Sequence, residues 1–233
     1  MRERLDIWQE FLDILPKDEK IPHPLWAMEF GATYPFEKKT PFKMKVKELR
    51  NYKGSFGLQL QGKWKKEIFK RLPSHATRQD KIFPKWKIAM IKRNREFYNR
   101  NKKIIDPWLK KVMKFPSSFQ KLEWNVGNEP RNINKYIIQC RGSGVRVKRP
   151  TTSPSLVAMN CTQIPIIPWE DRYMTSDECK RLQSMEKLKD LPIHRSKIYC
   201  ALGNAVNVEV LKLIASSLVK YGGNKIGSRA PDD

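Results

Sequence analysis

The stretch Arg172–Met185, RYMTSDECKRLQSM, decides how this 233-residue chain is read. Thr175 and Glu178 stand three residues apart, the spacing of a capping box. The threonine hydroxyl accepts from the amide three residues on, and the glutamate reaches back to the threonine amide. A helix therefore starts after Thr175 and carries Cys179, Leu182, Gln183 and Met185 on toward Leu188, with Pro192 closing it. Toward the C-terminus, residues 198–202 (IYCAL) lead into Gly203-Asn204-Ala205-Val206. A last helix follows, in which Val210, Leu211, Leu213, Ile214 and Leu218 are expected to form a buried stripe. Gly222-Gly223 ends it, and residues 222–233 read as a flexible tail with no apolar period.

Upstream of the capping box, residues 135–140 (KYIIQC) and 144–149 (GVRVKR) flank the turn Arg141-Gly142-Ser143. Alternation of valine with Arg146, Lys148 and Arg149 predicts a hairpin with one apolar and one basic face. Further strands are expected at Leu156–Met159 and around Ile164–Ile167. The basic face suits a nucleic-acid backbone or groove, the alternative being a solvated strand face.

That hairpin closes a basic block. Residues 38–149 hold 32 Lys and Arg against seven Asp and Glu, a net charge of +25. Residues 1–37 carry −4, the remainder +2, and the whole chain +23. So concentrated a positive field repels itself unless a polyanion answers it, and nucleic acid gains by releasing counterions. Within the block, residues 63–71 and 86–103 read as short basic helices. Ile88, Ile91, Phe97 and Tyr98 form an inner face of the second. Another short helix is expected between Pro107 and Pro116. The aromatics here are read as the core of a basic module, with base stacking on one or two of them as the alternative.

At the N-terminus, Leu5, Trp8, Phe11, Leu12 and Leu15 fall on one face of a helix that Pro16 closes. Residues 21–37, with three prolines and four aromatics, read as a packed loop. The opening MRERLDIWQEF has no apolar leader, and no run reaches the 18 or so apolar residues of a membrane span. Cys140, Cys161, Cys179 and Cys200 form no CxxC pair, and His23, His75 and His194 are scattered, so neither a metal site nor a disulfide framework is expected.

Two motifs now carry a resemblance. Arg172, Met174, Thr175, Glu178, Arg181, Leu182 and Gln183, followed some 20 residues later by Gly203-Asn204-Ala205-Val206, resemble the last two motifs of the DNA cytosine-5 methyltransferases. Residues 149–159 resemble the segment leading into those motifs, and residues 5–17 and 24–37 the stretch after the catalytic half in some bacterial members. The resemblance is weakest over residues 53–134. It implies an α/β fold: a mixed α+β target recognition domain plus the C-terminal closing segment of a Rossmann-like S-adenosylmethionine-dependent methyltransferase fold.

The resemblance further implies that Gly203, Asn204, Ala205 and Val206 line the S-adenosylmethionine pocket, and that Arg172, Glu178, Arg181 and Gln183 form the scaffold. Arg141, Ser143, Arg146, Lys148 and Arg149 are the expected DNA contacts. The family's nucleophile, a cysteine following proline, is missing, as are its Glu-Asn-Val segment and its Phe-Xaa-Gly-Xaa-Gly turn. The implied organisation is a split enzyme. Residues 1–37, through the face at 5–15, would dock on a separate catalytic chain together with the final helix 205–219; 38–170 would recognise duplex DNA, 171–221 would complete a cofactor site shared with that chain, and 222–233 would be the tail. Cytosine methylation in bacterial restriction–modification, in the cytoplasm and at the nucleoid, is the expected setting. A free-standing basic DNA- or RNA-binding protein without enzymatic activity is the alternative.

Overall fold

The computed structural model describes residues 1–157, 163–191 and 194–222. Cys161, the strand residues expected at 158–159, Pro192 and the tail from 223 onward lie outside them.

The chain opens with α1 (Arg2–Ile14), which ends as Leu15 turns extended ahead of Pro16. The two-residue strand β1 (Leu25–Trp26) follows, then the short helices α2 (Val46–Leu49) and α3 (Lys65–Phe69). Next comes the long helix α4 (Lys85–Val112). Three strands follow: β2 (Lys121–Trp124), β3 (Ile137–Arg141) and β4 (Gly144–Lys148). The short pair β5 (Ile166–Ile167) and β6 (Arg172–Tyr173) completes the sheet. Helices α5 (Ser176–Leu182), α6 (Arg195–Asn204) and α7 (Val208–Gly222) close the chain.

The six strands form one mixed sheet in the order β1-β2-β4-β3-β5-β6. The expected hairpin is present: Arg141 pairs with Gly144, leaving Gly142 and Ser143 as a two-residue turn. Strand β2 was not foreseen, and it pairs parallel with β4, Leu122 beside Val145 and Trp124 beside Val147. Leu122, Trp124, Ile138, Cys140, Val145 and Val147 share one face by the two-residue period and join the core with α1 and α4.

That core corrects one expectation. The apolar face of α1 does not wait for another chain, because Leu5, Trp8, Phe11 and Leu12 are buried inside this one. Trp8 and Trp108 pack at 5.2 Å between ring centroids, and each indole N–H finds a backbone acceptor, Phe119 at 3.0 Å and Ile7 at 2.7 Å. A buried tryptophan needs such a partner. Residues 1–37 also fail to stand apart as a unit, since Met28, Ala32 and Tyr34 share a second core with Leu49, Leu60, Ile68, Phe83 and Ile91. Glu29 lies fully buried in this second lobe. Burial would raise its pKa, but the hydrogen bond with His75 and the charge of Arg95 outweigh that and lower it.

The two helices expected on either side of Pro107 are one. Proline lacks the amide that would bond four residues back, a defect usually costing about 3 kcal/mol. Here Pro107 is exposed, while Ile105, Trp108, Leu109 and Val112 around it are buried. Packing on both sides holds the helix through the defect. At the other end, α5 stops at Leu182 and does not run to Leu188, because Ser184 turns left-handed at φ 55°. The stretch Arg195–Tyr221 is long and apolar enough in composition to cross a membrane. It is two helices, however, of 10 and 15 residues. At 1.5 Å per residue they are about 15 and 22 Å long, each short of a hydrocarbon core of roughly 30 Å.

Candidate functional site

The motif around α5 is built from its own short-range chemistry. The Thr175 amide donates to Glu178 Oε2 at 2.7 Å, and the Glu178 amide donates to Thr175 Oγ1 at 3.2 Å, closing the capping box. Arg172 adds a bidentate fork, both terminal nitrogens donating to the Glu178 carboxylate at 2.8 Å, and bonds Glu170 at 2.6 Å. Hydrogen bonding from Arg172 is the main cause holding the Glu178 carboxyl down at about 2, against the smaller opposing effect of burial. The same contacts raise the Arg172 guanidinium further above its ordinary value. Arg181, the third charged member of the expected scaffold, is exposed, and its side chain bonds none of the described residues.

Gln183 joins the two motifs. It is buried, and its side-chain amide donates to the Leu202 carbonyl at 2.8 Å and the Ala205 carbonyl at 3.2 Å. Its own carbonyl accepts from the Val208 amide at 3.0 Å, so one residue holds the end of α6 and the start of α7. Asn207 completes the joint. Its amide donates to the Leu182 carbonyl and to Ser184 Oγ, both at 3.0 Å, and its oxygen caps α7 by accepting from the Val210 amide. Tyr199 donates its hydroxyl to the Met174 carbonyl, and Met174, Cys179, Tyr199 and Leu202 form a small third core beneath.

The Gly203–Val206 segment is thereby presented at the surface. Asn204 and Val206 are exposed, while Gly203 and Ala205 are half-buried. Gly203 sits inside α6 and not at the turn, which falls at residues 205–207; its backbone freedom is not what this geometry uses. The stripe expected to be buried on α7 is open: Val210, Leu211, Leu213, Ile214 and Leu218 range from 49% to 70% exposed. No described segment covers it.

The expected DNA contacts divide. Arg146 donates to Glu123 at 2.6 Å and Arg149 to Glu129 at 3.1 Å, so two of the four cations among them are already answered by carboxylates. Glu123 is pushed up by burial but lowered on balance, chiefly by hydrogen bonds from Arg146 and then Ser143. The outer face of the hairpin is also not open, because buried Gln139 donates to the carbonyls of Ser155 and Gln163, which lie across it. Arg141, half-buried at the turn, and Lys148 pair with no carboxylate among the described residues.

Two residues were missed. Trp64 and Trp86, read as core, are 71% and 59% exposed. The signal was in the sequence, since each is flanked on both sides by lysine. The buried thiols Cys140 and Cys179 are both pushed up to about 12 by their burial, which makes them inert at neutral pH. Among the described residues no three metal-ligating side chains gather.

The family model for C-5 cytosine-specific DNA methylase matches residues 21–220. The Type II methyltransferase M.AluI of Cellulosimicrobium cellulans is 37% identical over 107 residues, covering 46% of this chain and 20% of that protein. The chain thus spans about a fifth of the length of that curated relative. No solved structure matches.

Proposed function

The chain belongs to the C-5 cytosine-specific DNA methylase family, and from that premise we propose that it is the DNA-recognition and cofactor-closing part of a cytosine-5 methyltransferase. In this reading residues 38–170 address duplex DNA, residues 171–221 complete an S-adenosylmethionine pocket, and the attacking thiolate belongs to a separate catalytic chain. Restriction–modification is the setting that suits such an enzyme.

The observation that carries the reading is the Gln183 joint. It holds Gly203–Val206 at the surface, directly before a helix whose apolar face lies open. An exposed amide at Asn204 beside apolar Val206 suits one wall of a pocket for a ligand with a polar adenine edge and an apolar arm. S-adenosylmethionine, when bound, supplies the methyl group. The residues of this chain bind and orient; they do not attack. Attack on cytosine needs a thiolate facing a flipped base. None of the four cysteines follows a proline, and burial keeps Cys140 and Cys179 protonated.

The docking surface in this reading is α7 alone, because the face of α1 is spent internally. The test is to mix the full chain with a catalytic-half chain, duplex DNA and labelled S-adenosylmethionine. Methyl transfer in the mixture and in neither chain alone supports the proposal. Methyl transfer by this chain alone, or no complex between the two, overturns it. A second reading, a free-standing basic DNA- or RNA-binding protein, is favoured by the +25 block. It is selected if the chain binds nucleic acid but forms no complex.

A further inference from the structure

We propose that the second lobe carries an aromatic contact for unstacked DNA, built on Trp64 and Trp86 and separate from the β3–β4 hairpin. The tripeptide Lys-Trp-Lys occurs at residues 63–65 and again at residues 85–87, each time at the start of a helix, α3 and α4. Both copies are anchored through the second lysine, though to different acceptors. The second lysine points inward: Lys65 donates to the Phe42 carbonyl, and Lys87, 5% exposed, pairs with Asp80 at 2.8 Å. The indole and the first lysine, Lys63 or Lys85, face outward.

The two anchors also meet. Thr40 donates its hydroxyl to the Asp80 carbonyl at 2.6 Å, so Lys65 and Lys87 are tied to opposite ends of one strap, residues 40–42. Both Lys-Trp-Lys copies are therefore tied to the same strap. Single exposed tryptophans are unremarkable; two between the same cationic neighbours, each beside an anchored lysine, are a pattern.

Charge identifies the occupant. Residues 38–92 hold 17 Lys and Arg against three carboxylates, Glu48, Glu67 and Asp80. All three are committed, to Lys39, to the amides of Lys63 and Trp64, and to Lys87. The surplus is uncompensated, which suits a phosphate backbone. An indole beside it gains by stacking on a base, and only single-stranded or locally opened DNA offers a free base face. Flipping one cytosine creates such an opening, and the choice of DNA over other nucleic acid rests on the function proposed above.

The test uses the full chain and three probes: a single-stranded oligonucleotide, a duplex with a one-base bulge, and a perfect duplex, each titrated at several salt concentrations. Trp64→Ala and Trp86→Ala are each expected to weaken binding to the first two probes by roughly five- to a hundredfold. Perfect-duplex affinity is expected to change less than twofold. Phenylalanine at either position should restore most of the loss, and Lys63→Ala should lower the salt slope by about one. Should an alanine variant melt early, leucine at the same position, which keeps apolar volume without a ring face, is compared instead. Unchanged binding to single strands, or an equal loss on all three probes, overturns the proposal. Methyl transfer is not read here, so failure of the divided-enzyme reading and failure of this contact are told apart.

Discussion

Glu178 serves Thr175 as a cap and Arg172 as a counterion, and its carboxyl titrates at about 2. Because the folded pKa lies below the unfolded value of 4.5, its contribution is complete above pH 4.5. It is lost as the pH falls from there through about 2. The melting temperature of the wild type should therefore drop over that window by more than that of Glu178→Gln. At neutral pH the variant should be less stable by up to about 1 kcal/mol, because glutamine can keep the capping-box bond but loses the charged pair with Arg172. Parallel melting curves from pH 2 to 7 check both, and superimposable pH profiles would remove Glu178 from the account. This residue was legible beforehand because a capping box is complete within four positions. Gln183 was legible only as part of a motif. Its bonds reach Leu202 and Ala205, and side-chain spacing along the chain says nothing about partners twenty residues away.

Elements followed the same division between local and distant causes. The β3–β4 hairpin could be read because a two-residue turn sets its register. Strand β2 could not, since four residues that pair in parallel with a strand more than twenty positions later leave no local trace. Helix α4 was divided at Pro107 by a rule that holds for isolated helices and yields here to burial on both sides. Pro107→Ala should accordingly stabilise the chain, by about 1–3 kcal/mol, through the backbone bond it restores on an exposed face. Urea unfolding with an unchanged slope but a higher midpoint is the expected result. A lower midpoint would mean that the proline fits a bend the core needs. The tryptophans at the start of α3 and α4 depart from the expected core for a simpler reason: aromatics usually go inside, but each of these stands between two lysines.

Across the whole molecule, charge and apolar surface are segregated. The second lobe carries the uncompensated cations, while α7 exposes leucine, isoleucine and valine with one internal ion pair, Lys212 to Glu209. Leu213→Asp with Leu218→Asp should leave the chain's own melting temperature within about 1 °C, because neither side chain is packed in it. The same pair should abolish association with a catalytic-half chain, measured by size-exclusion chromatography. Loss of stability in the isolated variant would show α7 to be folded back on this chain in solution. The overall class, helices with a mixed sheet, was readable from the pattern. The partition into cores was not, because residues 26–36 join a lobe whose other members lie up to position 91.

The Gln183 joint also frees a piece of chain. Since α5 is tied directly to the end of α6 and the start of α7, the path between them does not set their spacing. Residues 186–190 are exposed, and only the Leu188 carbonyl accepts a side-chain bond there, from Lys180 at 3.4 Å. That makes the segment a natural port: a fluorophore-bearing insert of several residues can enter at Lys187–Lys189 and report on what approaches α7 without disturbing the joint that places it.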